Sequence, residues 1–167
     1  QVALLFTLVA KSQSAIDSLS TLLFSKVPPK HSNVHFANLP NTDNRLNTLT
    51  YYYYYNGGGV AVGDINNDGM PDIFLTGNNT KANKLYLNKG NLVFEDITIK
   101  AGVSGTADWS SGVTMADINA DGYLDIYVSV VTDSFGLTGA NQLFINNGNG
   151  TFTDKPEKYK LNIKGFT

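Results

Sequence analysis

Chemistry concentrates in two nine-residue stretches, DINNDGMPD at 64–72 and DINADGYLD at 117–125, which hold six of the twelve aspartates of this 167-residue chain. Short carboxylates crowded in this way repel one another unless a cation lies among them. With ligands at alternate positions, Asp64, Asn66 and Asp68 converge on one ion, Gly69 supplies the sharp turn, the Met70 carbonyl turns inward and Asp72 closes the shell. The second stretch repeats the set with Asp117, Asn119, Asp121, Gly122, the Tyr123 carbonyl and Asp125. Every donor is a hard oxygen, with neither His nor Cys among them. Five protein groups on a flexible loop suit Ca2+ better than Mg2+, which keeps waters in a strict octahedron. The expected cofactor is Ca2+, at two sites.

Other readings of the same residues lie close by. An EF-hand or dockerin-type loop starts alike but needs a bidentate Glu at its twelfth position and flanking helices. Here that position is Leu75 or Val128, and both stretches run into strand formers, Ile73-Phe74-Leu75 and Ile126-Tyr127-Val128. A metal-free Asp/Asn/Gly turn is the plainer alternative; one such turn is common, whereas two in register are not. His31 and His35 are four apart, which suits a metal on a helix, but Pro28, Pro29 and the polar neighbours argue for extended chain. No nucleophile and base stand out beyond scattered Ser and two His, and with no Cys there is no thiol chemistry, so catalysis by this segment is not expected.

The elements that must position the loops are visible as an internal repeat. GVAVGDINNDGMPDIFLTG at 59–77 aligns with GVTMADINADGYLDIYVSV at 112–130, a shift of 53 residues. LYLNKGNLVFED at 85–96 aligns with LFINNGNGTFTD at 143–154 at a shift of 58, so the second copy carries five extra residues in its middle loop. In the first copy strands are expected over 59–63, 72–76, 84–88 and 92–96, the last two joined by a turn at Lys89-Gly90, matched by Asn147-Gly148 in the second. Four short strands recurring at about 50 residues are the signature of a propeller blade. The expected fold is all-β, with about two antiparallel four-stranded blades of an incomplete propeller. Propellers close with about four to eight blades, so the remaining blades of the same protein are expected partners.

Around the repeat the chain is less regular. Residues 2–10, VALLFTLVA, are too short to span a bilayer, which takes about 20, and instead fit the apolar core of a signal peptide; 1–15 read as one with its start missing, since the chain opens on Gln1. Residues 16–50 read as a loop-rich lead-in with a short strand at 34–39. The tyrosine run 51–55 reads as a strand with one face buried, a carbohydrate-stacking face being the alternative, before Asn56 and the triple glycine 57–59. The first blade is placed at 51–108, and the second, with the start of a third repeat, at 109–167. A formal net charge of −2 with only 16% charged residues gives no basic surface for nucleic acid, and 42% hydrophobic residues indicate a folded chain.

Over residues 54–154 the sequence resembles the FG-GAP/VCBS repeats, the calcium-bearing blades of integrin α-subunit propellers and of many bacterial secreted proteins. The wording YYNGGGVAVGDINNDG followed by NKLYLNKG is similar to large bacterial surface proteins that also carry an ASPIC/UnbV-type C-terminal segment. The resemblance implies structural Ca2+ at Asp64, Asn66, Asp68, Met70 and Asp72 and at the second set, on a propeller that mediates adhesion or ligand binding. Two functions follow from it. One is a calcium-stabilised module of a secreted, periplasmic or cell-surface protein that binds a protein or carbohydrate. The other is an accessory propeller of a larger secreted enzyme.

Overall fold

The computed structural model describes residues 24–39, 42–78, 82–132 and 134–165. The expected signal peptide at 1–15 lies outside the described residues, as do 166–167 at the expected start of a third repeat. Eight strands form in order: β1 (Val60–Gly63), β2 (Asp72–Leu75), β3 (Lys84–Asn88), β4 (Phe94–Asp96), β5 (Ser110–Ala116), β6 (Asp125–Val130), β7 (Gln142–Asn146) and β8 (Phe152–Asp154). They pair antiparallel as two four-stranded sheets, β1-β2-β3-β4 and β5-β6-β7-β8, which are propeller-type blades. The two blades share one register: Ile73 opposite Tyr86 and Tyr86 opposite Asp96 correspond to Ile126 opposite Phe144 and Phe144 opposite Asp154. All eight strands fall where the repeat puts them, with ends trimmed in β1, β2, β4 and β8 and extended by one or two residues in β5 and β6.

The link between the last two strands is longer than the expected two-residue turn. Lys89 N–H donates to the Val93 carbonyl at 2.8 Å and Val93 N–H to the Gly90 carbonyl at 3.0 Å. Gly90, Asn91 and Leu92 are all left-handed, at φ 84°, 53° and 58°, which glycine and asparagine accept and leucine resists.

One face of the first blade packs on the opposite face of the second. Phe74 and Leu85 face each other across β2 and β3, as do Ile126 and Phe144 across β6 and β7, and all four are buried in one cluster with Val128 and Val130. Four buried side chains of this size contribute roughly 1.5–3 kcal/mol each. The inner strands β1 and β5 lie side by side, and here glycine is required: a Cβ on Gly59 would lie 2.9 Å from the Val113 nitrogen. Two single helical turns complete the frame, α1 (Pro29–Ser32) and α2 (Thr98–Ala101). The α2 turn follows β4 and places Ala101, with Val103 beyond it, under the inter-blade core. Its Thr98 hydroxyl accepts the Leu85 N–H at 2.9 Å, which ties the turn to β3.

Two expected strands are absent. Residues 34–39 have no regular structure, and the segment is held by side chains instead: Asn33 Nδ2 donates to the Phe94 carbonyl at 3.1 Å, and Asn38 Oδ1 accepts the Asn78 N–H at 3.0 Å. The tyrosine run is a turn, with Tyr51 N–H donating to the Asn47 carbonyl and Tyr54 N–H to the Tyr51 carbonyl. Its β-propensity loses to burial, because the turn sends Tyr51 and Tyr54 together onto Trp109, with ring centroids 5.8 and 5.4 Å away. Leu46, Val131 and Leu137 close this second core. His31 lies in the single turn α1 rather than in extended chain, and His35 follows without regular structure, so the two share no helix; His31 Nε2 lies 2.8 Å from the Asn91 carbonyl. Among the described residues no helix is long and apolar enough to cross a membrane.

Candidate metal centres

Each Asp-rich loop leaves an inner strand and returns as the next, β1 to β2 and β5 to β6, so both lie at the same end of the blades. Asp64 accepts the N–H groups of Asp68 and Gly69 at 3.1 and 2.7 Å, and Asp117 those of Asp121 and Gly122 at 3.1 and 2.9 Å. Asn66 takes the Asp68 N–H at 3.3 Å and donates to Asp68 Oδ2 at 2.9 Å; Asn119 does the same with Asp121 at 3.1 and 2.8 Å. Asp68 accepts the Met70 N–H and Asp121 the Tyr123 N–H, both at 2.9 Å. The closing carboxylates are fully buried: Asp72 bridges the N–H groups of Ile65 and Asn88 at 3.0 and 2.8 Å, and Asp125 those of Ile118 and Asn146 at 2.9 and 2.8 Å. Equivalent bonds in the two loops agree within 0.2 Å. The reversal is made the same way in each, with Asn67 and Gly69 left-handed at φ 59° and 84° and Ala120 and Gly122 at 60° and 89°.

In the first loop the electrostatics distinguish the opening carboxylate from the closing one. Loss of water pushes the Asp64 carboxyl up, but backbone N–H groups led by Gly69 outweigh it and hold the carboxyl below its usual range. Burial raises the Asp72 carboxyl against the hydrogen bonds from Asn88 and Ile65, and the charges of Asp68 and Asp64 raise it further. Two neighbouring negative charges are therefore felt at one buried group.

The donor chemistry fits a hard dication. A carboxylate has about four acceptor sites, so one that takes two N–H groups keeps lone pairs for an ion. The arrangement is drawn in on the loop's own backbone, however. Among the described residues no group of three or more His, Cys, Asp or Glu side chains is arranged to hold a metal ion, so the structure does not bring Asp64, Asp68 and Asp72, or Asp117, Asp121 and Asp125, together as a carboxylate cluster.

Two residues outside the predicted set fix the loops. Asn88 donates to the Pro71 carbonyl at 2.9 Å and accepts the Gly90 N–H at 2.9 Å. Asn146 does likewise with Leu124 at 3.1 Å and Gly148 at 2.9 Å, and adds a bond to the Ile65 carbonyl of the first loop at 2.8 Å. A second link between the loops runs from Asn67 Nδ2 to the Gly122 carbonyl at 3.0 Å. The signal for the pair was present in the repeat, where LYLN and LFIN place Asn at the same strand end.

Residues 64–128, from the first loop through most of β6, match the FG-GAP-like repeat, which supports the FG-GAP assignment of this segment. Cartilage acidic protein 1 of Xenopus tropicalis is 36% identical over 99 residues, covering 58% of this chain and 14% of that protein. Its counterparts in Mus musculus and Homo sapiens are 41% and 40% identical over 68 residues, covering 41% of this chain and 10% of each. The match thus spans about one seventh or less of the length of these relatives.

Proposed function

We propose, from the FG-GAP-like repeat over 64–128, that the chain is a calcium-stabilised pair of propeller blades, serving as a binding or adhesion module of an exported or cell-surface protein. The observation that carries the reading is the duplication of an all-oxygen loop down to its hydrogen bonds, each closing on a buried carboxylate, Asp72 or Asp125. Asp64, Asn66, Asp68, the Met70 carbonyl and Asp72 would hold one ion, and Asp117, Asn119, Asp121, the Tyr123 carbonyl and Asp125 the other. The role of the ion is structural: it offsets the repulsion that Asp64 and Asp68 exert on Asp72 and pins strand to strand. Two such ions would also reverse the sign of the formal net charge of −2.

Thermal melts in EDTA, in millimolar CaCl2 and in MgCl2 test this. With affinities of ~10⁻⁴ to 10⁻³ M, as in extracellular modules, millimolar calcium stabilises by roughly 0.4–1.4 kcal/mol per site. For a chain of this size the two sites together raise the midpoint by about 2–10 °C. Magnesium should do little, and Asp64→Ala or Asp117→Ala should each remove about half of the calcium increment. An unchanged midpoint in calcium ends the metal reading.

A further inference from the structure

A cavity of about 390 Å3 opens at the end of the inner strands away from the Asp loops, where Gly57 and Gly58 lead into β1 and Trp109 into β5. Its wall is aromatic, from Tyr51, Tyr53 and Trp109, and its edge is polar, from Asn56, Ser111 and the bare backbone of the two glycines. The wall is held from behind. Tyr51 and Trp109 are buried in the second core, and Tyr53 stands edge-on to Tyr51 with centroids 6.1 Å apart. Tyr53 nonetheless leaves 58% of its surface exposed, so its ring is open to a ligand. The two edge glycines differ: a Cβ on Gly58 would collide with the Thr76 carbonyl oxygen, whereas Gly57 faces open space.

We propose that this cavity is a subsite for a neutral sugar, one ring of which lies against Tyr53 while its hydroxyls meet Asn56, Ser111 and the glycine backbone. Three observations select this class. No charged side chain lines the cavity, so an anionic or cationic ligand finds no partner there. A pyranose has an apolar C–H face and a hydroxyl rim, which complement an aromatic wall with a polar edge. The volume suits a ligand of one or two rings rather than an extended peptide, whose groove would have to continue beyond it. The inference deepens the binding-module reading and rests on it, but it needs no metal.

Trp109 is the single tryptophan of the chain and lines the cavity, so its fluorescence is the readout. The full chain is titrated with cellobiose and with N,N'-diacetylchitobiose, in calcium and in EDTA, with galacturonic acid and a poly-L-proline peptide as comparators. A saturable change with at least one of the neutral disaccharides is expected. Tyr53→Ala should weaken it about tenfold and Tyr53→Phe, which keeps the ring, less than about threefold. Leu49→Ala, at a side chain 96% exposed outside the cavity, should leave it unchanged. The subsite is overturned by no saturable response to either neutral sugar, by an equal response to galacturonic acid, by a response to the proline peptide instead, or by equal losses in Leu49→Ala and Tyr53→Ala. The calcium melt is read separately, so a failure of the metal reading and a failure of the subsite are distinguishable.

Discussion

The two Asp loops have the same internal hydrogen bonds and different neighbours. Ile65 of the first is 3% exposed and gives its carbonyl to Asn146 of the next blade, whereas Ile118 of the second is 36% exposed. Asn67 holds a left-handed backbone and donates across to Gly122, while Ala120 holds the same backbone with no side-chain donor to offer. The conformation of each loop is thus set within nine residues, by carboxylates capping N–H groups a few positions ahead. Its burial is set by the blade that follows, which covers the first loop only.

The sharpest way to break that comparison is to remove the strand-end asparagines. Asn146→Ala leaves the Ile65 and Leu124 carbonyls and the Gly148 N–H without their partner, and should cost about 3 kcal/mol. Asn88→Ala strands only the Pro71 carbonyl and the Gly90 N–H, and should cost about 2 kcal/mol. Urea midpoints at constant m-value give the difference, which is the worth of the inter-blade bond. Equal losses would show that the Asn146 bond to the Ile65 carbonyl adds nothing to stability.

A second contrast lies behind β2. Asn141 Nδ2 donates to the Tyr127 hydroxyl at 2.7 Å, but the repeat puts Phe74 at the corresponding place in the first blade. Asn83 Nδ2, buried there, has no partner among the described residues. Tyr127→Phe should therefore cost about 1 kcal/mol, and Phe74→Tyr should gain a similar amount by giving Asn83 an acceptor. Denaturant unfolding of both variants checks the signs; a loss in Phe74→Tyr would mean that the inter-blade core leaves no room for the oxygen.

Much of this was legible because the signals are local. The Asp loops and their flanking strands declare themselves within about a dozen residues, and duplication makes each copy a control on the other. What escaped reading depends on contacts far along the chain. The tyrosine run has every mark of a strand, and only Trp109, more than fifty residues on, turns two of its rings inward. The α2 turn is four residues long, too short for a periodic pattern. Asn88 and Asn146 are visible as a repeated residue, but their bonds to the loops exist only once the strands pair. The metal set rests on the sequence pattern, and the melts above decide it.

A smaller test sharpens the comparison at the loop itself. Ala120 at φ 60° carries the steric cost of the left-handed region, roughly 1 kcal/mol, which asparagine tolerates better. Ala120→Asn should gain about 0.5–1 kcal/mol and make the second loop resemble the first, and Asn67→Ala should lose at least as much, since the Gly122 bond goes with it. Thermal midpoints in EDTA isolate the backbone effect from any cation.

The smallest effect separates two aspartates at the same place in the repeat. Asp96 is paired with Lys84 at 2.7 Å, whereas Asp154 meets Gln142 at 3.0 Å. Burial pushes the Asp96 carboxyl up, but the bonds from Lys84 and Thr98 outweigh it and hold it below the ordinary value. Burial raises the Asp154 carboxyl beyond what Gln142 and Leu143 recover, and the Glu157 charge adds to the rise. The signs for stability are opposite. Asp96 contributes above its unfolded value near 4, and that contribution is lost as pH falls through its lowered folded value. Charged Asp154 costs stability, and the cost is relieved as pH falls through its raised folded value. Because the Lys84 pair is partly exposed, Lys84→Gln should cost only ~0.2–1 kcal/mol at neutral pH and nothing once Asp96 is protonated. Carboxyl titration by NMR should find the two midpoints on either side of the ordinary value, and Lys84→Gln should move the Asp96 midpoint upward while leaving that of Asp154 in place. If both midpoints move together, the two blades share one electrostatic environment and the difference between Lys84 and Gln142 decides nothing.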